Sequence, residues 1–366
     1  MRTDRIWTGL SAIVLFLIAV LGGLGLVVVL IWPWWVPAAV LVAALILAVP
    51  VYLIRRWRSG GHPGWSPTRA YASTAVVTVL VLSALVAFPV YFLAYMIDAR
   101  PTLAPLVTLS NGKKTVQFQG MQHIGAEGFY KSVIYDLHEA LGNGYRLYYE
   151  GVQPVDARPD LTAWFNSFAT EGGGSDLSEF YKSLADSCGL TFQLDYFKGL
   201  KADEAVHPQR HVTADVTYLD LKTEFDRLMR EDPEFARAFK SAAQPVAAKP
   251  SGDAKVFKTM LTFWKAATPD QKRLIGLACR GFLSWIFAQT QSPIEKDKLI
   301  LDFRNKRLAR TIVDDTAPKI WITYGSRHIT GVIAELQKLD PGWRIEAIKW
   351  SRTIANPENH HGELTR

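Results

Sequence analysis

Two histidines and one glutamate stand at positions where a chain can use them for chemistry. His123 closes the run Gly120-Met121-Gln122-His123, and His328 closes Gly325-Ser326-Arg327-His328. Each Gly-x-x-His follows a strand-like alternation and precedes a helix-like pattern. Glu150 ends the next strand-like run, at 145–150. In open α/β sheets, ligands bind beyond the carboxyl ends of the strands, where side chains from distant segments meet. Two neutral imidazoles and a carboxylate suit a divalent transition metal that keeps positions open for water and substrate. The chemistry of such a centre is hydrolysis by metal-activated water. A histidine at a helix start can equally cap the helix or pack into a core, and the repeated context is what favours the ligand reading. Gly120 and Gly325 fit a structural turn that needs a positive φ or a close backbone approach.

Other arrangements carry less. His207 and His211 have i,i+4 spacing, but Pro208 between them argues for a loop. His138 falls between helical core positions, which places it on the surface, and His360 and His361 sit in a polar tail. Asp215 stands just before a helix pattern and reads as an N-cap. The chain has no Gly-x-Ser-x-Gly elbow, no His-Glu-x-x-His helix and no phosphate-binding Gly-x-x-x-x-Gly-Lys-Ser/Thr loop. Cys188 and Cys279 do not make a disulfide framework; they read as buried thiols, or as a pair if the domain faces an oxidising compartment.

The elements that must position the two motifs form an α/β pattern of two related β-α-β-containing halves. In the first half a strand at 114–119 leads to a helix at 126–141, marked by Phe129, Val133, Leu137 and Leu141 at helical spacing. Gly142-Asn143-Gly144 ends that helix, and the strand at 145–150 should run parallel to the first. In the second half, strands at 320–323 and 343–348 flank a helix at 329–339. Between the halves the pattern gives helices at 160–169 and 176–187, a Gly-rich joint at 171–175, a strand at 190–196, and helices at 219–229 and 233–240. A loop or lid follows at 241–255, then two or three helices at 254–291 and one long helix at 294–314. Ile300, Leu301, Leu308, Ile312 and Val313 mark the stripe of that last helix. Arg304 falls on the same stripe and needs a carboxylate, phosphate or carbonyl partner. The pattern therefore predicts a mixed sheet with flanking helices over 101–353.

Residues 1–100 contain no Lys and no Glu, and they carry five of the seven net positive charges. Apolar runs at 6–32, 35–54 and 71–96 are long enough to cross a hydrocarbon core of roughly 30 Å, and Trp7, Trp32, Trp34, Trp35, Trp57 and Trp65 stand at their ends. This predicts a membrane anchor of three transmembrane helices. The first run is too long for a cleaved signal peptide and lacks a small-x-small exit. Basic residues precede the first span and separate the second from the third, which puts the N-terminus in the cytoplasm and the α/β domain in the periplasm or outside the cell. The high isoelectric point thus reports a lipid bilayer as partner, not nucleic acid. Residues 354–366 form a polar tail.

The two motifs GMQH and GSRH, the Glu ending the second strand, and the Arg-Asn of DFRNKRLA resemble the TraB/GumN/TIKI family, within the erythromycin esterase-like and ChaN-like superfamily. The resemblance covers roughly residues 106–348 and leaves the membrane spans outside. It implies an α/β fold of two related halves with the site at their junction. It also implies a metal-dependent protease acting outside the cell, with manganese or cobalt favoured and zinc or iron as alternatives, and a peptide or protein as substrate. Carried over by position, His123, His328 and Glu150 would hold the metal. Glu150, Arg304 and Asn305 would serve catalysis, with Glu150 as base and Arg304 as oxyanion stabiliser. Arg327 departs from the family, which favours a small residue there; it would bind a substrate carboxylate or crowd the site. Other members are regulators. The alternative expectation is a non-catalytic membrane sensor that binds a peptide, and a third is a haem- or iron-handling protein.

Overall fold

A computed structural model describes residues 2–58, 66–169, 177–242, 262, 264–288 and 293–355. The expected joint at 171–175, most of the lid at 241–255, Trp65, and His360 and His361 lie outside these residues. The chain forms two compact units. One comprises residues 1–96 and 266–282, and the other comprises residues 97–265 and 283–366.

In the first unit, α1 (Arg2–Ile31), α2 (Trp35–Arg58) and α3 (Pro67–Ala99) are each long and apolar enough to span a membrane. Apolar side chains such as Phe16, Leu85 and Phe88 point outwards, more than half exposed. Small residues let α1 and α3 touch. A Cβ on Gly25 would lie 2.5 Å from the backbone nitrogen of Ala84, and one on Gly22 would run into Leu80.

In the second unit a six-stranded mixed sheet carries the candidate site. Its strands are β1 (Leu103–Ser110), β2 (Thr115–Met121), β4 (Arg146–Tyr149), β6 (His211–Thr213), β7 (Lys319–Gly325) and β8 (Arg344–Arg352). They lie in the order β6-β4-β7-β2-β1-β8. β3 (Ile124–Gly125) and β5 (Thr191–Phe192) form a separate two-stranded pair. The helices after α3, in chain order, are α4 (Glu127–Gly142), α5 (Pro159–Ala169), α6 (Leu177–Cys188), α7 (Gln193–Phe197), α8 (Lys201–Val206), α9 (Tyr218–Glu231), α10 (Pro233–Ala242), α11 (Pro269–Phe287), which belongs to the first unit as far as Phe282, α12 (Arg304–Asp314) and α13 (Ile329–Leu339).

Both faces of the central strands are covered, while the edge strand β8 is largely exposed. Val116, Phe118, Ile320, Ile322 and Tyr324 pack with Leu308, Ile312, Val332 and Leu336 of α12 and α13. On the other face Leu147 and Trp321 pack with Phe129, Val133, Leu137 and Leu141 of α4. The period-two alternation of β2 and β7 serves these two cores. Strands β2 and β4 are parallel to each other, but β7 lies between them and pairs with both.

Several expectations need correction. The strand expected at 190–196 is two residues long, and the chain then turns helical from Gln193. The helix expected from 294 starts later: Lys298–Phe303 is a π-helical stretch that leads into α12. Asp297 holds its entry by accepting from the backbone N–H of Ile294 (3.1 Å). Val313 is 40% exposed and does not join the apolar stripe. The cysteines are not thiols: Cys188 and Cys279 are both disulfide-bonded.

Candidate functional site

The carboxyl ends of β2, β4 and β7 point the same way, and the pairing register decides what meets there. Tyr149 stands opposite Thr323, and Met121 opposite Gly325. Glu150, one step beyond β4, therefore arrives beside the end of β7. Its backbone N–H donates to the Thr323 carbonyl (3.1 Å), and its Oε2 accepts from the Gly325 N–H (2.6 Å). A Cβ on Gly325 would sit 3.2 Å from that oxygen, and one on Gly120 would sit 2.7 Å from Ser326 Oγ. Neither glycine has a positive φ, so both serve close approach and not a left-handed turn.

Arg304 organises the carboxylates. Its Nε and one terminal nitrogen donate to the two oxygens of Asp215 (2.9 and 2.5 Å), and the same terminal nitrogen donates to Glu150 Oε1 (2.8 Å). The Arg304 side chain is 6% exposed, Asp215 is fully buried, and Glu150 is 24% exposed. Burial disfavours the charge on Glu150, but Arg304, together with His328 and the Gly325 amide, outweighs it and holds the carboxyl below its ordinary value. Asp215 does not cap a helix. Thr217 caps α9, in a capping box with Asp220, and Asp215 instead accepts from the backbone N–H groups of Gly151 and Val216.

His328 lies on the turn after β7, buried, with Nε2 3.6 Å from Glu150 Oε1. Its Nδ1 is 2.7 Å from Asn305 Oδ1, an acceptor that places the proton on Nδ1 and leaves Nε2 with a lone pair. The other partner of Nε2 is a donor, Arg304, at 3.4 Å. Burial first, then the Arg304 charge, pushes the His328 pKa down to about 4, so the ring is neutral near pH 7. The Asn305 amide reaches it because Gly331 has no side chain; a Cβ there would collide with Nδ2. The Tyr324 ring meets His328 edge-on (centroids 4.9 Å apart, planes at 89°) and lies under Arg304.

No family model matches this chain, and no curated protein or solved structure gives a match.

His123 belongs to the same end of the sheet, but it is exposed. It stacks on Tyr181 with centroids 4.4 Å apart, and its Nδ1 lies 3.1 Å from the amide nitrogen of Gln193. Desolvation lowers its pKa, against an opposing pull from Glu150. No hydrogen bond or ion pair joins it to Glu150 or His328. Among the described residues no group of three or more His, Cys, Asp and Glu side chains stands ready for a metal ion. The structure thus brings Glu150, Asp215, Arg304, Asn305 and His328 into one network and leaves His123 outside its bonds. Arg327 turns to Asp297, placing one nitrogen 2.9 and 2.8 Å from its oxygens.

His211 is no partner of His207. Its ring bridges the Tyr149 hydroxyl (2.8 Å) and Asp203 (2.7 Å). The sequence pattern made Asp215 a cap and gave no mark of Tyr324 or Gly331. Asp215 had a signal: like Glu150, it follows the carboxyl end of a strand, here β6.

The donor chemistry suits one divalent ion in part. The lone pair on His328 Nε2 and a partly exposed Glu150 oxygen lie close together, and an amide oxygen fixes the imidazole tautomer, as the outer hydrogen-bond partners of metal-bound histidines do. Two carboxylates against one guanidinium also leave an excess negative charge, which favours a cation. A third protein donor is not assembled beside them.

Proposed function

We propose that this chain is a membrane-anchored, metal-dependent hydrolase acting on peptides. The observation that supports the reading is the meeting of Glu150, Arg304 and a neutral His328 at the carboxyl ends of neighbouring parallel strands. In this reading His328 and Glu150 hold a divalent ion, and His123, from the other Gly-x-x-His unit, completes the set; the two units count as related halves. Manganese or cobalt is favoured, with zinc or iron as alternatives. When bound, such an ion lowers the pKa of its water and polarises a carbonyl. Arg304 keeps Glu150 ionised and aimed, Asn305 keeps the His328 lone pair on Nε2, and Asp215 fixes Arg304. Peptide as substrate, and the TraB/GumN/TIKI kinship, rest on the sequence resemblance alone. The disulfide-bonded cysteines favour an oxidising location for the α/β unit, as does the placement of basic residues. The reading therefore puts the protein in the inner membrane, with its N-terminus in the cytoplasm.

The test is metal content and peptide cleavage by the full chain in detergent, after chelation and reloading, for the parent and for His123→Ala. Micromolar binding with cleavage that falls on substitution supports the reading. No binding of Mn, Co, Zn or Fe at micromolar levels overturns it. One observation favours a second reading, the non-catalytic peptide sensor: Arg304 is already engaged by Asp215, Glu150, the Ile300 carbonyl and His328, as in a structural network. That reading expects peptides to protect the chain from proteolysis without turnover.

A further inference from the structure

Helix α11 is not among the helices able to span a membrane, yet residues 266–282 belong with the three that are. Two contacts place it. Thr268 and Gln271 form a reciprocal cap at its start: the Thr268 N–H donates to Gln271 Oε1 (3.0 Å), and the Gln271 N–H donates to Thr268 Oγ1 (3.3 Å). Thus fixed and buried, Gln271 donates from Nε2 to the Ile31 carbonyl (2.9 Å). That carbonyl is at the last residue of α1, where no intrahelical donor remains. The second contact is at Gly281, whose missing side chain lets α11 lie against the Leu93 carbonyl of α3.

The heights of these two anchor points follow from the packing of α1 on α3. Gly22 faces Leu80 and Gly25 faces Ser83, so the two helices rise together. Continuing in step, Ile31 stands level with Pro89. Leu93 is then only about 6 Å higher, at 1.5 Å per residue. The ten-residue run of α11 between its two contacts is about 15 Å long by the same measure. Between those heights α11 inclines from the direction of the spans toward the membrane plane. It does so at the level of Trp32, Trp34 and Trp35, the last two 81% and 57% exposed, where an aromatic belt marks the lipid–water boundary. Along it, Arg273 near the start is exposed, and so are Phe282 and Trp285 further on.

We propose that α11 is an interfacial helix seated in the lipid leaflet at the Trp32–Trp35 end of the anchor, with Phe282 in contact with acyl chains. Such a helix buries its apolar residues at the headgroup–acyl boundary and leaves its charged end in water.

The test uses the full chain in phosphatidylcholine–phosphatidylglycerol vesicles, with a nitroxide on Phe282→Cys, the native cysteines being disulfide-bonded. Collisions with oxygen should exceed collisions with a water-soluble nickel chelate, and the label's depth should match that of a label on Trp34→Cys. Should Phe282→Cys not assemble, Ile275→Cys, two turns earlier in α11, takes its place. A label reached more by nickel than by oxygen overturns the proposal, because the face is then in water. A label reached by neither also overturns it, because protein then covers the face.

Discussion

Arg304 is held by both oxygens of Asp215, with its Nε 2.9 Å from Oδ1. The pair is buried on both sides, so each partner depends on the other to compensate its charge. Removing one partner of a buried ion pair costs about 3–5 kcal/mol. Asp215→Ala should lose that much in denaturant unfolding of the detergent-solubilised chain, and the Arg304→Met, Asp215→Leu double variant should lose less than the two singles together. A loss below about 1 kcal/mol for Asp215→Ala would show the pair is not structural.

Glu150 is the partly exposed carboxylate of the network, and the hydrolase reading has it hold the ion. Glu150→Gln keeps the shape and removes the charge. Its peptide cleavage should fall at least about 10- to 100-fold, and because Arg304 loses an ionised partner the melting temperature should fall as well. Equal rates for variant and parent would remove Glu150 from the chemistry.

Gly331 offers a test in which two effects oppose each other. In a helix interior Ala is favoured over Gly by about 1 kcal/mol. Here the added methyl meets the Asn305 amide, and overpacking costs about 1–3 kcal/mol. Gly331→Ala should therefore destabilise the chain. It should also move the ring-nitrogen shifts of His328, which loses its fixed Nδ1 acceptor. A stabilised variant would mean that Asn305 gives way freely.

Asp315 gives a pH dependence away from the site. It accepts from Arg146 (2.5 Å), from the Tyr148 hydroxyl and from the Ala317 N–H (2.7 Å). Burial raises its pKa, but these bonds outweigh burial and leave it below the ordinary aspartate value. The stability it contributes is therefore present above the unfolded value of about 3.9, and it is lost as pH falls through the lower folded value. Asp315→Asn should be less stable at pH 7 and should lose less on acidification. Parallel acid-denaturation curves for the two proteins would contradict this.

Much of the frame was legible in the residues. The helix at 329–339 matches its expected bounds, because a strand, a turn and an apolar stripe follow one another without ambiguity. The four apolar marks of α4 are all buried, and the three long apolar helices stand where hydropathy puts them. What was not legible depends on register and contact. Asp215 looked like a cap because its partner, Arg304, is 89 residues away. The π-helical stretch before Arg304 leaves no mark on an apolar stripe. His123 and His328 share a motif, but the first turn runs into β3 and the second into a buried helix start, so like spacing gave unlike surroundings.

The position of β7 between β2 and β4 bears on how the chain is made. A ribosome releases β2 and β4 early and β7 last of the three, so the emerging protein holds open a gap that its own later segment must fill. Until about residue 325 has been synthesised, Glu150 has neither the Gly325 amide nor the Arg304 side chain beside it. Long-range parallel pairing of this kind forms slowly. The network is thus assembled only once β7 is made, and a prematurely truncated product would carry the three long apolar helices without it.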